Sequence, residues 1–215
     1  MPKVITIRDA YLQAAASAAE LLGRPAVAAA WERPSALPEF RVSGLAGHLA
    51  HQVLTVPAVL RNAVPADSTI GLLDHYASSA WRTGAVDDEV NVGIRNQGEQ
   101  RAADGPAALA EAVATTAAEL AAALPAEPAD RAVFLPWGPW SLHLDDFLIT
   151  RMMEIAVHSD DLACSVDSPT PELPDAVLEP VLALLAALAV RRHGQPAVLR
   201  ALARTERAPD RINAI

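Results

Sequence analysis

The chain has 215 residues, of which 52% are hydrophobic and 4% aromatic, and its formal net charge is −9. This length suits one large domain with a sizeable core, and the abundant Ala and Leu are the strongest helix formers. Lys and Arg form no cluster anywhere, and this excludes a nucleic-acid binder that works through a basic face.

The expected location is a reducing cytoplasm, because Cys164 is the only cysteine and an intramolecular disulfide is therefore excluded. The N-terminus lacks the apolar core of a signal peptide. The richest apolar run, Pro180 to Val190, is too short to span a bilayer. We expect a soluble protein without a membrane partner, in which Cys164 is a buried, inert thiol.

Helical periodicity in the first part of the chain falls into blocks separated by Pro and Gly. The first predicted helix covers Ile7 to Leu22 and ends at Gly23-Arg24-Pro25. Ser43 is expected to cap a second helix, which runs from Gly44 to about Ala63.

The middle of the chain contains a third helical segment from Ser68 through Trp81, with a continuation to Arg101. Trp81 is expected in the core. Gly105-Pro106 is typical of a helix start, and this helix should end near Leu124. The Pro-rich stretch from Pro125 to Ser141 is expected to be a loop.

The last part begins with a helix from Ser141 to about Val166, followed by predicted helices from Asp175 to His193 and from Pro196 to Arg204. Helices joined by short connections pack as antiparallel neighbours. We therefore expect an all-α four-helix bundle with additional short helices, in a single domain over residues 1–215. The Ala-rich helix that begins at Asp175 could serve a homodimer as well as a core.

Ionisable residues lie among apolar ones on one stripe of the helix that follows Ser141. Glu154 and His158 are four residues apart, so both side chains point to the same side. An ionised carboxylate on an apolar stripe is costly to bury unless it is paired or binds a metal. His48 lies on the apolar stripe of the second predicted helix. If the two stripes face each other, His48, Glu154 and His158 converge as a His₂Glu set, which is known for zinc.

Spacing alone leaves other interpretations open. A Glu and a His four residues apart commonly form a solvated pair on a helix surface. A histidine on an apolar stripe, such as His48, is often a hydrogen-bonded core residue. His75 and His193 have no partners at metal-ligand spacing and are expected at the surface.

Three segments carry a resemblance to a known family: Trp31 with Leu45-Ala46-Gly47-His48-Leu49, then Leu135-Pro136-Trp137-Gly138, then Thr150 to Leu162. In these segments the sequence resembles the mycothiol-dependent maleylpyruvate isomerase N-terminal domain family, part of the DinB-like metal-dependent superfamily. The similarity runs from about Ile7 to Arg204. Its most specific part is the motif Arg-x-x-Glu-x-x-x-His-x-x-Asp-Leu.

The resemblance implies a DinB-like four-helix bundle with a divalent metal, whose ligands carry over onto His48, Glu154 and His158. Zinc is the expected metal, with nickel, iron and manganese as alternatives. Mycothiol is implied as the thiol cosubstrate, and a small electrophile as its partner. The isomerase has a substantial second domain, whereas 46 residues follow Pro169 here. We expect these to form the helix that begins at Asp175, the short helix from Pro196 and a tail, with no full second domain. The resemblance therefore does not extend to activity on maleylpyruvate.

Four further residues are candidates for the same site. Asp161 is expected either to orient the ring of His158 or to act as a general base. His51 is expected either to act as a general base or to lie at the surface or rim of the site. Arg151 is expected to pair with a carboxylate or to anchor an anionic cosubstrate. The loop that carries Trp137 is expected to roof the metal pocket.

Three functions are consistent with these residues. The first is a metal-dependent thiol transferase or isomerase that acts on a small electrophile, since a bound metal lowers the pKa of a thiol. The second is a metal-dependent hydrolase of a small molecule or thiol conjugate, which needs a base within reach of a bound water. The third is a non-catalytic binding or regulatory module. A fourth protein ligand would favour the third function.

Overall fold

In the computed structural model, which describes residues 5–64, 68–78 and 88–215, the chain is a bundle of helices with one small β-hairpin. The helices are α1 (Ile7–Leu22), α2 (Pro25–Ala29), α3 (Val42–Leu54), α4 (Val56–Arg61), α5 (Leu72–Ser78), α6 (Glu89–Arg101), α7 (Pro106–Ala123), α8 (Leu144–Ser165), α9 (Asp175–His193) and α10 (Gln195–Ala203). The strands are β1 (Ala132–Leu135) and β2 (Trp140–His143), and 3₁₀ turns cover Leu124–Ala126 and Thr205–Arg207. The predicted all-α class is confirmed.

Local signals explain where the long helices begin and end. Thr6 and Asp9 form a reciprocal capping box at the start of α1. Gly105, with φ of +89°, precedes the Pro at the start of α7, and Gly194, with φ of +83°, separates α9 from α10. These positive φ angles suit glycine, because a side chain would be strained there.

The core lies between α1, α3, α7 and α8, which pack against one another as a four-helix bundle. Small residues on α1 allow close approach of its neighbours, and bulky side chains from α3 and α8 fill the centre. The largest of the latter are Leu45, Leu49, Phe147, Leu148, Met152 and Met153, all fully buried. On the outside of this bundle, α6 packs on α3, and α9 packs on α1 and α8.

The crossing of α3 and α6 brings the two backbones into direct contact. A β-carbon built on Gly47 would overlap the carbonyl group of Gly98, and one built on Gly98 would overlap the carbonyl oxygen of Gly44. Ser43 donates a hydrogen bond to Glu99 of α6 at 3.0 Å. The backbone contact and the hydrogen bond hold α6 beside the N-terminal half of α3.

The second predicted helix differs from the observed one at both ends. The helix α3 begins at Val42, with Arg41 at its N-cap, so the expected capping role of Ser43 is wrong. It ends at Leu54 and α4 follows as a separate helix, because Pro57 has no N–H to continue the hydrogen-bond ladder. The short helix α2 was not expected.

The predicted loop from Pro125 to Ser141 is also wrong, because its second half is an antiparallel hairpin. Ala132 pairs with His143 and Leu135 pairs with Trp140. Ser141 therefore lies in β2 and does not cap a helix; α8 begins at Leu144 with His143 at the N-cap.

Three predictions on single residues need comment. His75 is buried with 4% exposure, not at the surface, because its Nδ1 accepts a hydrogen bond from Trp140 Nε1 at 2.9 Å. Cys164 is exposed and not buried. Trp81, together with the neighbouring Arg82, lies outside the described residues.

Among the described residues, one helix could span a membrane by length and composition, and the sequence did not predict it. The segment Pro106–Ala126 is long and apolar enough to cross a bilayer, and 22% of its most apolar window is buried. Its residues are mainly Ala and Leu, so this helix resembles a membrane span by composition and length alone. A single helix of this kind is weak evidence for a membrane location.

Candidate metal centre

The inner stripes of α3 and α8 face each other and bring three ionisable side chains together. Nε2 of His158 lies 3.1 Å from Oε2 of Glu154, one turn earlier on α8. Nε2 of His48, from α3, lies 3.7 Å from the same oxygen. One potential ligand atom from each residue lies within 4.8 Å of the other two. The convergence expected from the two stripes is therefore present in the structure.

The cluster lies just below the surface of the bundle. The side chains of His48, Glu154 and His158 are 16%, 13% and 17% exposed. They are the one group of at least three potential metal ligands among the described residues, and no fourth His, Cys, Asp or Glu there joins them. A set of three protein ligands with partial access to solvent is typical of sites that keep a coordination position open.

Asp161 fixes the ring of His158 from the far side. Its Oδ2 lies 3.0 Å from Nδ1 of His158, while Nε2 of the same ring faces Glu154. The backbone of Asp161 is itself held by Ser165, whose hydroxyl donates to its carbonyl at 2.6 Å. Carboxylates that bond the second nitrogen of a histidine commonly orient metal-binding rings.

The electrostatics of the cluster keep its carboxylate ionised and give its two imidazoles different charges. Burial opposes ionisation of Glu154, but hydrogen bonds from His158 and His48 hold its pKa well below the usual range. Burial also opposes a charge on His158, yet hydrogen bonds to Asp161 and Glu154 raise its pKa to about 9. For His48, burial is the largest effect and lowers the pKa. An anionic carboxylate thus lies between a neutral His48 and a protonated His158 near pH 7, so a metal that binds here must displace the proton of His158.

Arg151 bonds uncharged side chains, so its expected pairing with a carboxylate is not found among the described residues. It is 9% exposed, its Nη1 donates to Gln52 Oε1 at 2.6 Å, and its Nε donates to Thr150 Oγ1 at 3.0 Å. Among the described residues it forms no ion pair with a carboxylate; its guanidinium lies over the ring of Phe147, 5.3 Å from the centroid. The reason is geometric: Gln52 occupies the facing position on α3.

The remaining candidates lie around the cluster. His51 is half-buried one turn beyond His48 and does not join it; burial, followed by the charges of Arg101 and Arg151, lowers its pKa to about 3. Trp137 is 52% exposed in the turn of the hairpin, with its ring 6.4 Å from that of Phe147.

Sequence reasoning missed Phe40, whose ring lies 6.2 Å from that of His48 and forms one side of its surroundings. Phe40 lies in the connection before α3, where no periodic pattern marks a residue as facing the site. The position of Gln52, one turn after His48, predicts that it lies near the site. The sequence does not predict its hydrogen bond with Arg151 of α8.

The fold and the cluster together define a class: an all-α bundle with an inward-facing His₂Glu set between two of its helices, the arrangement in which helical bundles build metal sites. A comparison with family models adds the assignment. The model of the mycothiol maleylpyruvate isomerase N-terminal domain matches residues 11–163. The chain belongs to this family, and its bundle is DinB-like.

No curated protein and no solved structure matches the chain significantly. The matched segment includes α3, α7 and most of α1 and α8, and thus all three residues of the cluster. The family is mycothiol-related and metal-binding in type.

Proposed function

We propose that the protein is a thiol transferase or thiol-dependent isomerase that holds one divalent metal through His48, Glu154 and His158. The observation that carries the proposal is the approach of both Nε2 atoms to one oxygen of Glu154. The donor set fits a metal in chemistry as well as in position. Two imidazoles and a carboxylate suit zinc, with nickel, iron and manganese as alternatives.

When bound, the metal would supply an acidic position at which a thiol loses its proton near neutral pH. The residues of the chain prepare the surroundings. Asp161 keeps the Nε2 edge of His158 turned towards the cluster, and the buried charge of Arg151 attracts anionic groups to this face of the bundle. Family membership supports mycothiol as the thiol and a small electrophile as its partner.

The hydrolase alternative needs a base beside the metal. The carboxylate nearest to the cluster, Asp161, already bonds His158, and His51, with its pKa lowered to about 3, is a poor proton acceptor. Both observations favour a thiol reaction over hydrolysis. The non-catalytic alternative would be favoured by a fourth protein ligand, and none lies in the cluster among the residues that the structure describes.

The first test is elemental analysis of the purified protein by inductively coupled plasma mass spectrometry. We expect about one equivalent of a divalent metal in the wild type and in a His193→Ala control. The ring of His193 bonds the carbonyl of Asn213 and does not join the cluster. The His158→Ala variant should contain little metal. Equal metal in all three proteins would contradict the assignment of the ligands.

The second test is a reaction screen with mycothiol and a panel of small electrophiles. A transferase consumes the thiol and yields a conjugate, whose mass is the sum of both reactants after an addition and that sum less the protonated leaving group after a substitution. A thiol-dependent isomerase leaves the thiol concentration unchanged. Turnover without any thiol would instead support the hydrolase. Absence of turnover in a fully metal-loaded protein over a broad panel would favour the non-catalytic module.

A further inference from the structure

A buried polar contact joins α3 to α8 one helical turn from the cluster. Gln52 follows His48 by four residues on α3, and Arg151 precedes Glu154 by three residues on α8. The guanidinium of Arg151 donates to Gln52 Oε1 at 2.6 Å, across the interface of the two helices. The amide of Gln52 in turn donates to the backbone carbonyl of His48 at 3.0 Å.

Both sides of this contact are fixed by further hydrogen bonds. Arg151 Nε donates to Thr150 Oγ1, and that hydroxyl donates to the carbonyl of Phe147 at 2.6 Å. On the other side, Tyr11 of α1 donates to the backbone carbonyl of Gln52 at 3.2 Å. The contact is therefore part of a network that spans three helices, and neither of its two central side chains can change rotamer freely.

Stability alone gives little reason for such a contact. Arg151 is a buried cation that forms no ion pair with a carboxylate among the described residues, and its desolvation is costly. Apolar side chains of similar size would fill the same space without that cost. A directional hydrogen bond between two helices, however, fixes their relative register, which apolar packing does less strictly.

Register is what the metal cluster requires. One residue of slip along a helix moves a side chain by about 1.5 Å and turns it by a large angle. Metal–ligand distances tolerate deviations of only about 0.2 Å. His48 is the one ligand that comes from α3, so its position relative to Glu154 and His158 depends on how α3 lies against α8.

We infer that Gln52 and Arg151 are positioning residues that hold α3 and α8 in the register at which His48 reaches Glu154 and His158. This inference rests on the proposed function, because the register of the two helices affects metal binding only if the cluster binds a metal. Neither side chain is assigned to the metal; both act through the backbone of His48 and the spacing of the helices.

The decisive variant replaces both partners, Gln52→Leu together with Arg151→Met, in the full chain. Because donor and acceptor leave together, no buried charge or amide is left unpaired, and the protein should fold. The control is Arg8→Met, which removes a part-buried arginine that bonds Asp145 in the first turn of α8. Circular dichroism and urea unfolding establish that both variants are folded.

Two measurements then decide. The first is the affinity for Co²⁺ from competition with a chelator, with the visible spectrum of the bound ion. We expect the double variant to lose about tenfold or more in affinity, with a changed spectrum, while Arg8→Met keeps both. Wild-type affinity and an unchanged spectrum in a folded double variant would overturn the inference.

The second measurement is made on the metal-free protein by NMR. The rings of His48 and His158 lie with centroids 4.6 Å apart, so their carbon-bound protons should give a nuclear Overhauser effect. Its loss in the double variant supports the positioning role, and its persistence contradicts it. If the wild type binds no metal, the proposed function fails, and this measurement still decides the role of Gln52 and Arg151.

Discussion

Asp161 bonds Nδ1 of His158 at 3.0 Å, and the opposite nitrogen of the same ring, Nε2, lies 3.1 Å from Glu154. The ring is thus held between two carboxylates on one helix, at spacings of three and four residues. Only Nε2 is left to serve as a metal ligand alongside Glu154. Asp161 therefore sets both the orientation of the ring and the nitrogen that it offers.

Replacement of Asp161 by Asn should weaken metal binding about 10- to 100-fold, because the amide cannot supply the negative charge that orients and polarises the ring. The measurement is a competition titration with a chromophoric chelator. Asp160→Asn is a matched control, because the neighbouring carboxylate bonds Thr170 and not the cluster. Equal losses in both variants would show that net charge, and not the contact with His158, matters.

Replacement of Gly47 or Gly98 by Ala should destabilise the protein by about 2–3 kcal/mol, since the new β-carbon overlaps the facing backbone and α6 must move away from α3. Urea unfolding measures the loss. Gly93, also on α6, has no atom within 4 Å of a β-carbon built on it. Gly93→Ala should leave stability unchanged or raise it by up to about 1 kcal/mol. A Gly98→Ala protein as stable as this control would refute the close crossing.

The burial of His75 should make stability depend on pH. Burial, followed by the positive charge of Arg151, lowers the pKa of His75 from 6.5 to about 4. Below pH 6.5 the unfolded chain takes up a proton that the folded protein refuses, so stability falls as the pH drops towards 4 and is fully retained above pH 7. Allowing for solvent screening, we expect a loss of about 2 kcal/mol at pH 4.

The check is urea unfolding at pH 7, 5.5 and 4 in the presence of a chelator. The His75→Gln variant lacks this titration. Its deficit relative to the wild type should therefore shrink by about 2 kcal/mol between pH 7 and pH 4. A deficit that is constant over this range would mean that His75 titrates normally in the folded protein.

The Trp137→Ala variant should keep its metal affinity and most of its stability. The ring of Trp137 is half exposed, and it contacts Phe147, which is not a metal ligand. If the hairpin turn covers the site, as proposed from the sequence, binding of mycothiol to the metal-loaded variant should weaken several-fold in isothermal titration calorimetry. Trp31→Phe is the control for loss of a tryptophan elsewhere. Unchanged thiol affinity in Trp137→Ala would remove the turn from the site.

The sequence predicts the long helices well where their ends carry local signals. Helix α1 occupies the predicted residues because Thr6 and Asp9 cap it, and α9 does so because Gly194 ends it. The hairpin could not be recognised in this way. Its strands have four residues each, and the prolines around their turn suggested an irregular loop. Pairing between such short strands depends on the surface of α8 beneath them.

The site shows the same limit. The stripes of two amphipathic helices predict which faces His48, Glu154 and His158 occupy, because side-chain direction follows from the helical period. They do not predict register between the helices. Arg151 bonds Gln52 and not a carboxylate, and His75 bonds Trp140. Both contacts join segments that are far apart in the chain, so the helical period does not predict them.

The family match ends at residue 163, whereas α9 begins at Asp175 and lies on α1 and α8. It buries four aliphatic side chains there: Val177, Val181, Leu184 and Leu188. A fragment that ends at residue 163 would expose the apolar surface of α1 and α8 on which α9 packs, and it should therefore aggregate. The smallest autonomous folding unit is accordingly longer than the homologous segment, and expression trials should retain the chain through at least His193.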